Sequence, residues 1–219
     1  MNSSTILVIN TNPDGATRQG TRALVRAFKR IASPTVHVVE RHFRRVAPDR
    51  LKKNPPQAVI LGPQGVPFQS YDPIHLDALY CLIRSLECPV LGVCGGHQAL
   101  VLAHGGRIAP VHGEKLPGTG TYGALKKIRG LHPMRRTARM TDRLLQTLPS
   151  PMTFFSSHVE AVSQLPPGFT TLATGPQDTI QMVRRDEYPH YGVQFHPERG
   201  GDGPLLMGNF LTLIRIESQ

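Results

Sequence analysis

Tryptophan is absent from the 219-residue sequence, and aromatic residues make up only 6% of it. A surface that stacks nucleic-acid bases is therefore poorly provided for. Cysteine is scarce as well, and the three residues cannot pair off evenly. No secreted disulfide framework is indicated, and no Cys-x-x-Cys pair suggests zinc. No apolar run approaches the length of a membrane-spanning helix. The opening Met1-Asn2-Ser3-Ser4-Thr5 lacks the basic-then-apolar order of an export signal. A reducing cytoplasm is the expected setting, with no membrane partner. Acidic residues number 15 against 25 lysines and arginines, a net charge of +10. Such a balance draws nucleic acid, acidic partners or anionic surfaces. The basic residues gather at 41–53 and 126–143, in neither case interleaved with aromatics. A solvated face or a protein-docking surface fits them better than nucleic acid.

What is present describes one globular domain over residues 1–219. Glycine and proline (21 and 20 residues) are frequent but stay below the about 25–30% of low-complexity chains. Short β-branched runs at 5–10, 36–39, 58–61 and 89–93 read as buried strands. Between them, Leu24, Val25, Phe28 and Ile31 fall at helical spacing. So do Leu76, Leu79, Ile83 and Leu86, after Asp72-Pro73, an N-cap with proline in the first turn. Alternating strands and helices predict an α/β fold, a mostly parallel central sheet with helices on both faces. After about residue 106, strand-like pieces at 108–111, 153–156, 170–173, 180–183 and 191–195 come with loops instead. A last helix carries Leu205, Leu206, Phe210, Leu211 and Ile214.

The chemistry concentrates in two segments. In Val90-Leu91-Gly92-Val93-Cys94-Gly95-Gly96-His97-Gln98, a buried strand runs into Gly-x-Cys-x-Gly and then a short apolar helix. That is the cysteine form of a nucleophile elbow, a tight turn that lifts the side chain above the sheet. The helix N-terminus favours a thiolate, and the N–H of Gly95 points where an oxyanion would form. Cys81 lies in a helical stripe and Cys88 precedes Pro89, so both read as structural. In Gly192-Val193-Gln194-Phe195-His196-Pro197-Glu198, residues i and i+2 of an extended segment share a side. Glu198 can then orient the imidazole of His196. A thiol, a histidine and an orienting carboxylate make the triad of acyl transfer.

These two segments together resemble the class I (triad) glutamine amidotransferases, a flavodoxin-like fold, and the resemblance covers nearly the whole chain. It implies a glutaminase that hydrolyses the side-chain amide of L-glutamine and delivers ammonia to a separate synthetase. No cofactor and no metal are implied. Cys94 would be the nucleophile, His196 the base and then acid, and Glu198 its orienting partner. Gln98 would help bind substrate. Leu61-Gly62-Pro63-Gln64-Gly65 resembles the family's oxyanion loop, with Gly62 giving a second N–H beside that of Gly95. Ser156-Ser157-His158-Val159-Glu160 resembles the segment that holds the glutamine α-substituents, closest to the GMP synthetase version, so His158 and Val159 join the substrate set. Gly95 departs from the bulky apolar residue usual after the nucleophile, and its extra freedom is expected to loosen the turn by about 0.5–1 kcal/mol.

The synthetase partner would dock through the basic surface, since no adenylating motif or phosphate loop is visible in the sequence. Two other functions use the same residues: a free-standing γ-glutamyl amide or peptide hydrolase, and a non-catalytic regulatory module. The spacing of His97, His104, His112 and His158 matches no closed zinc pattern, so they read as surface or substrate-pocket histidines. Gly118-Thr119-Gly120-Thr121-Tyr122-Gly123 lacks the lysine of a phosphate loop and reads as a loop over the site.

Overall fold

β1 (Thr5–Asn10) turns Ile6 and Val8 to one face and Leu7 and Ile9 to the other, and all four are buried. A strand apolar on both sides needs cover on both, and the computed structural model, which describes residues 5–111, 127–137 and 142–217, supplies it. The chain continues through α1 (Gln19–Ile31), β2 (His37–His42), α2 (Pro48–Lys53), β3 (Ala58–Leu61) and α3 (Pro73–Arg84). Next come β4 (Val90–Val93), α4 (Gly95–Ala103), β5 (Arg107–Pro110), β6 (Ile128–Arg136) and β7 (Met152–His158). β8 (Glu160–Gln164), β9 (Phe169–Thr174), β10 (Ile180–Arg185), β11 (His190–Val193) and α5 (Gly203–Glu217) complete it.

The sheet runs β2-β1-β3-β4-β11-β10-β9-β6-β7, with β8 joining β10 to β5. The strands from β2 to β11 are parallel, and every pairing beyond β11 is antiparallel. The sheet is thus mixed: its parallel half comes from the strand–helix alternation, its antiparallel half from the loop-connected pieces that follow. α1 and α5 cover one face, where Phe28 meets Phe210 edge-on at 6.5 Å. α3 and α4 cover the other, burying Leu79, Leu82, Ile83 and Leu100. Asp72 caps α3 by accepting from Ile74 N–H at 2.8 Å, as Asp72-Pro73 predicts. Leu205 departs from the expected core stripe of α5: it is 47% exposed, and Met207 and Leu213 are buried on that helix instead. Among the described residues, no helix is long and apolar enough to cross a membrane.

In such a sheet, ligands bind beyond the carboxyl ends of the parallel strands. Asn10, His42, Leu61 and Val93 end four of those strands on one edge, and the connections from that edge hold the chemistry.

Candidate active site

Cys94 lies between β4 and α4 with φ 51° and ψ −108°, one of two described non-glycine residues at positive φ. For a residue with a Cβ this is a strained conformation, costing about 1–3 kcal/mol. Its neighbours hold it there. The Cys94 N–H donates to Val193 O at 2.8 Å, and Cys94 O accepts from Gln98 N–H at 3.1 Å. Gly92 is required for the close approach of α4 to β4, since a Cβ there would come within 2.7 Å of Gly96 O. The sulfur is buried but borders a cavity of about 200 Å³, lined also by Gln64, Gln98, Lys127 and residues 157–160.

β11 pairs in parallel with β4, Val193 opposite Val93, so the residues after each strand emerge side by side. His196 follows β11 and is fixed by its N–H to Phe155 O at 2.7 Å. Its Nδ1 lies 2.9 Å from Glu198 Oε1, a carboxylate with 1% side-chain exposure, and the Cys94 sulfur is near enough to the ring to favour its protonated form. Burial alone would lower the pKa of this imidazole. Hydrogen bonds and charge from Cys94 and Glu198 outweigh it and push the pKa up to about 10. The sequence-predicted Cys94, His196 and Glu198 therefore come together at one place, with His196 hydrogen-bonded to Glu198 and electrostatically coupled to Cys94.

The other expected residues divide. Gln98 lines the cavity, but both hydrogens of its amide are spent, on Glu160 O (2.8 Å) and Gln194 Oε1 (3.2 Å). Its carbonyl oxygen is what remains for a ligand. His158 and Val159 also line the cavity, and His158 Nδ1 donates to Glu160 O at 3.0 Å.

Gly95 opens α4, so its N–H is among those without an intrahelical acceptor. The freedom expected of this glycine is taken up by Gln64. A Cβ on Gly95 would lie 2.8 Å from Gln64 N and 2.9 Å from Gln64 Cδ. The bulky side chain usual at this position is replaced in space by one from the neighbouring loop.

Gly62 does not match its expected part. Its N–H donates to Ile9 O at 2.9 Å, continuing the β1–β3 ladder, and its carbonyl accepts from Thr11 Oγ1 at 2.9 Å. Pro63 has no N–H, and Gly65 N–H donates to Asn12 Oδ1 at 2.8 Å. The N–H beside Gly95 is that of Gln64. Tyr71 pins this loop with its hydroxyl, whose one hydrogen is shared between Thr11 O (2.7 Å) and Gln64 Oε1 (2.9 Å).

His97 is neither a surface nor a pocket residue. It is fully buried against Gly192, and burial, with the charge of His158 adding, lowers its pKa to about 3. His104 is half-buried, with Nδ1 on Leu100 O at 2.9 Å. His112 and the glycine-rich loop 118–123 lie outside the described residues. Among the described residues, no group of three or more potential ligands could hold a metal ion. Sequence reasoning passed over Gln194, whose Nε2 lies 3.9 Å from the Cys94 sulfur. Its place two residues before His196, just past a strand neighbouring β4, was the available signal.

Residues 16–210 match the family model for glutamine amidotransferase class I. The chain belongs to this family. Among curated relatives, it is 36% identical over 136 residues to a glutamine-hydrolyzing GMP synthase subunit of Methanosarcina mazei, covering 61% of this chain and 64% of that protein. The Archaeoglobus fulgidus protein of the same name is 30% identical over 137 residues, covering 61% and 66%. The match thus spans slightly less than two thirds of these relatives. An aminodeoxychorismate synthase of Streptomyces griseus is 35% identical over 135 residues, 57% of this chain and 16% of that protein. Among solved structures, a putative GMP synthase subunit from Thermoplasma acidophilum superposes over the whole of both chains with a TM-score of 0.75 at 20% identity. At that identity the likeness shows the fold, the class I amidotransferase α/β architecture.

Proposed function

We propose that this amidotransferase is a glutaminase subunit that releases ammonia from L-glutamine for a separate synthetase. The observation that carries the reading is the Cys94–His196–Glu198 chain at the wall of a cavity sized for one small amino acid. The names of the curated relatives favour a synthetase partner of the GMP synthase kind.

The thiolate of Cys94 attacks the side-chain amide carbon, and the carbonyl π electrons move to oxygen. The N–H groups of Gly95 and Gln64 stabilise that oxyanion, each by about 3 kcal/mol. His196, charged and held by Glu198, gives its proton to the amide nitrogen as the C–N bond breaks and ammonia leaves. The neutral imidazole then takes a proton from water, whose oxygen attacks the glutamyl thioester. Glutamate departs and the thiolate–imidazolium pair is restored. Gln98 Oε1 and the 157–160 segment hold the amino acid while this happens. Lys127, on the cavity wall, and Arg129, exposed two residues on, extend a basic rim that suits docking of an acidic synthetase face.

Turnover of L-glutamine is measured with and without a synthetase subunit of the GMP synthase type, against Cys94→Ala as control. Cys94-dependent glutamate release, raised by the synthetase, is the expected result. Strong cleavage of γ-glutamyl peptides with negligible glutamine hydrolysis in both conditions would replace this reading with a free-standing hydrolase. Turnover unaffected by Cys94→Ala would remove the proposed nucleophile.

A further inference from the structure

Gln194 has no part in the proposed steps, yet this fully buried residue sits between the nucleophile and Gln98. Its backbone N–H donates to Gln181 O at 2.9 Å, which fixes the chain just past β11. Its side chain reaches two ways. Oε1 accepts from Gln98 Nε2 at 3.2 Å, and Nε2 makes a loose contact of 3.9 Å with the Cys94 sulfur. Gln98 and Cys94 line the cavity and Gln194 does not, so a ligand feels it only through these two neighbours.

The orientation of both carboxamides follows from one backbone carbonyl. Glu160 O can only accept, and it lies 2.8 Å from the end of the Gln98 side chain, so that atom is the NH2 nitrogen. The second hydrogen of this group points to Gln194, whose facing atom must then be its oxygen. The NH2 of Gln194 is thereby turned to the sulfur, where a thiolate can accept. Turning the Gln194 amide over would set two NH2 groups against each other and an oxygen against the thiolate. The same constraint leaves Gln98 Oε1, an acceptor, for the ligand.

Resting on the glutaminase reading, we propose that Gln194 is a positioning residue: it locks Gln98 with its oxygen toward the cavity, so that the site selects a hydrogen-donating group of the amino acid. Glutamine carries two such groups, the side-chain amide and the α-ammonium. Without the Gln194 oxygen, Gln98 is held by Glu160 O alone, and one of its N–H groups is left without an acceptor. The Gln98 amide is then free to turn, and its preference for a donor weakens.

Steady-state kinetics of the full chain with a synthetase subunit of the GMP synthase type test this, with L-glutamate as a competing ligand. Gln194→Met keeps the bulk and removes both polar atoms, and its KM for glutamine should rise about three- to tenfold, the worth of one hydrogen bond. In a Gln98→Met background the same substitution should raise KM no further, as expected when one residue acts through the other. Gln194→Glu keeps an oxygen for Gln98 but sets another against the sulfur, so kcat should fall while KM stays within about twofold of wild type. Weakening of glutamine alone by Gln194→Met assigns Gln98 to the side-chain amide, and equal weakening of glutamate assigns it to the α-ammonium. An unchanged KM in a folded Gln194→Met protein overturns the proposal. So does an undiminished rise in the Gln98→Met background, or a Gln194→Glu protein with raised KM and unchanged kcat. Melting temperatures establish folding, and Gln194→Glu decides alone should Gln194→Met not fold. A wild type without Cys94-dependent turnover would instead remove the glutaminase reading, and this proposal with it.

Discussion

If Gln64 supplies the second oxyanion N–H, deleting that hydrogen should cripple chemistry while trimming the side chain should not. Gln64→Pro removes the N–H, and Gln64→Ala keeps it. Loss of one preorganised donor costs about 2.7–4 kcal/mol, a 10²–10³-fold fall in kcat. Gln64→Ala loses the 2.9 Å bond from Tyr71, worth about 0.5–1.5 kcal/mol, but Tyr71 keeps its 2.7 Å bond to Thr11 O. Its kcat should therefore stay within a few-fold of wild type. Steady-state ammonia release, at saturating glutamine and with the synthetase partner, measures both variants. Circular dichroism and the alkylation rate of Cys94 control for a disturbed loop. A folded Gln64→Pro protein with kcat within about tenfold of wild type would refute the reasoning. The donor would then be elsewhere, with Gly62, after rotation of its peptide from Ile9 O, the next place to look.

Other consequences follow from the same geometry. Gly95→Leu places a side chain where Gln64 already sits, with Gln64 N 2.8 Å from the new Cβ. Overpacking of about 1–3 kcal/mol should appear mainly as lost kcat, and pairing it with Gln64→Ala should restore part of that loss. Glu198→Gln removes one of the groups that raise the pKa of His196 to about 10. The alkaline limb of kcat/KM, where the proton donor is lost, should move to lower pH. A raised imidazole pKa also contributes stability, in full below about 6.5 and fading as pH climbs through about 10. Denaturant titrations should therefore find Glu198→Gln most costly near neutrality and least costly at the alkaline end. Cys94→Gly should abolish turnover yet raise the denaturation midpoint, because glycine adopts φ 51° without strain. Phe154 stacks on Phe195 at 3.8 Å in the core, and Phe154→Ala should lower stability by about 3–5 kcal/mol.

Much of this site was legible because local rules govern it. Gly92, Cys94 and Gly95 state a tight strand-to-helix turn, and His196 and Glu198 are spaced to share a side. The parallel half of the sheet was legible too, since β1, β3 and β4 are apolar on both faces. β6 escaped reading because its inward side holds Gly130 and His132 while Leu131 faces outward, so its alternating burial leaves no hydropathy alternation in the sequence. α2 buries nothing and gives no stripe. Gly62 misled because the ladder from Ile9 runs one residue past the end of β3, a matter of register between distant segments. The exchange of bulk between positions 64 and 95 depends likewise on how two loops approach. Composition cannot report that.

β11 is the hinge of the architecture, held to β4 by only four residue pairs. Gln194, immediately beyond it, follows Cys94 by 100 positions. A nascent chain still lacking this strand has neither Val193 O to hold the Cys94 turn nor the imidazole of His196, so the proposed thiol–base pair is assembled only once β11 is in place. Because β11 is paired on both edges and Tyr191 and Val193 are buried in the core, loosening it would split the sheet, so the geometry around the sulfur and the integrity of the fold stand or fall together.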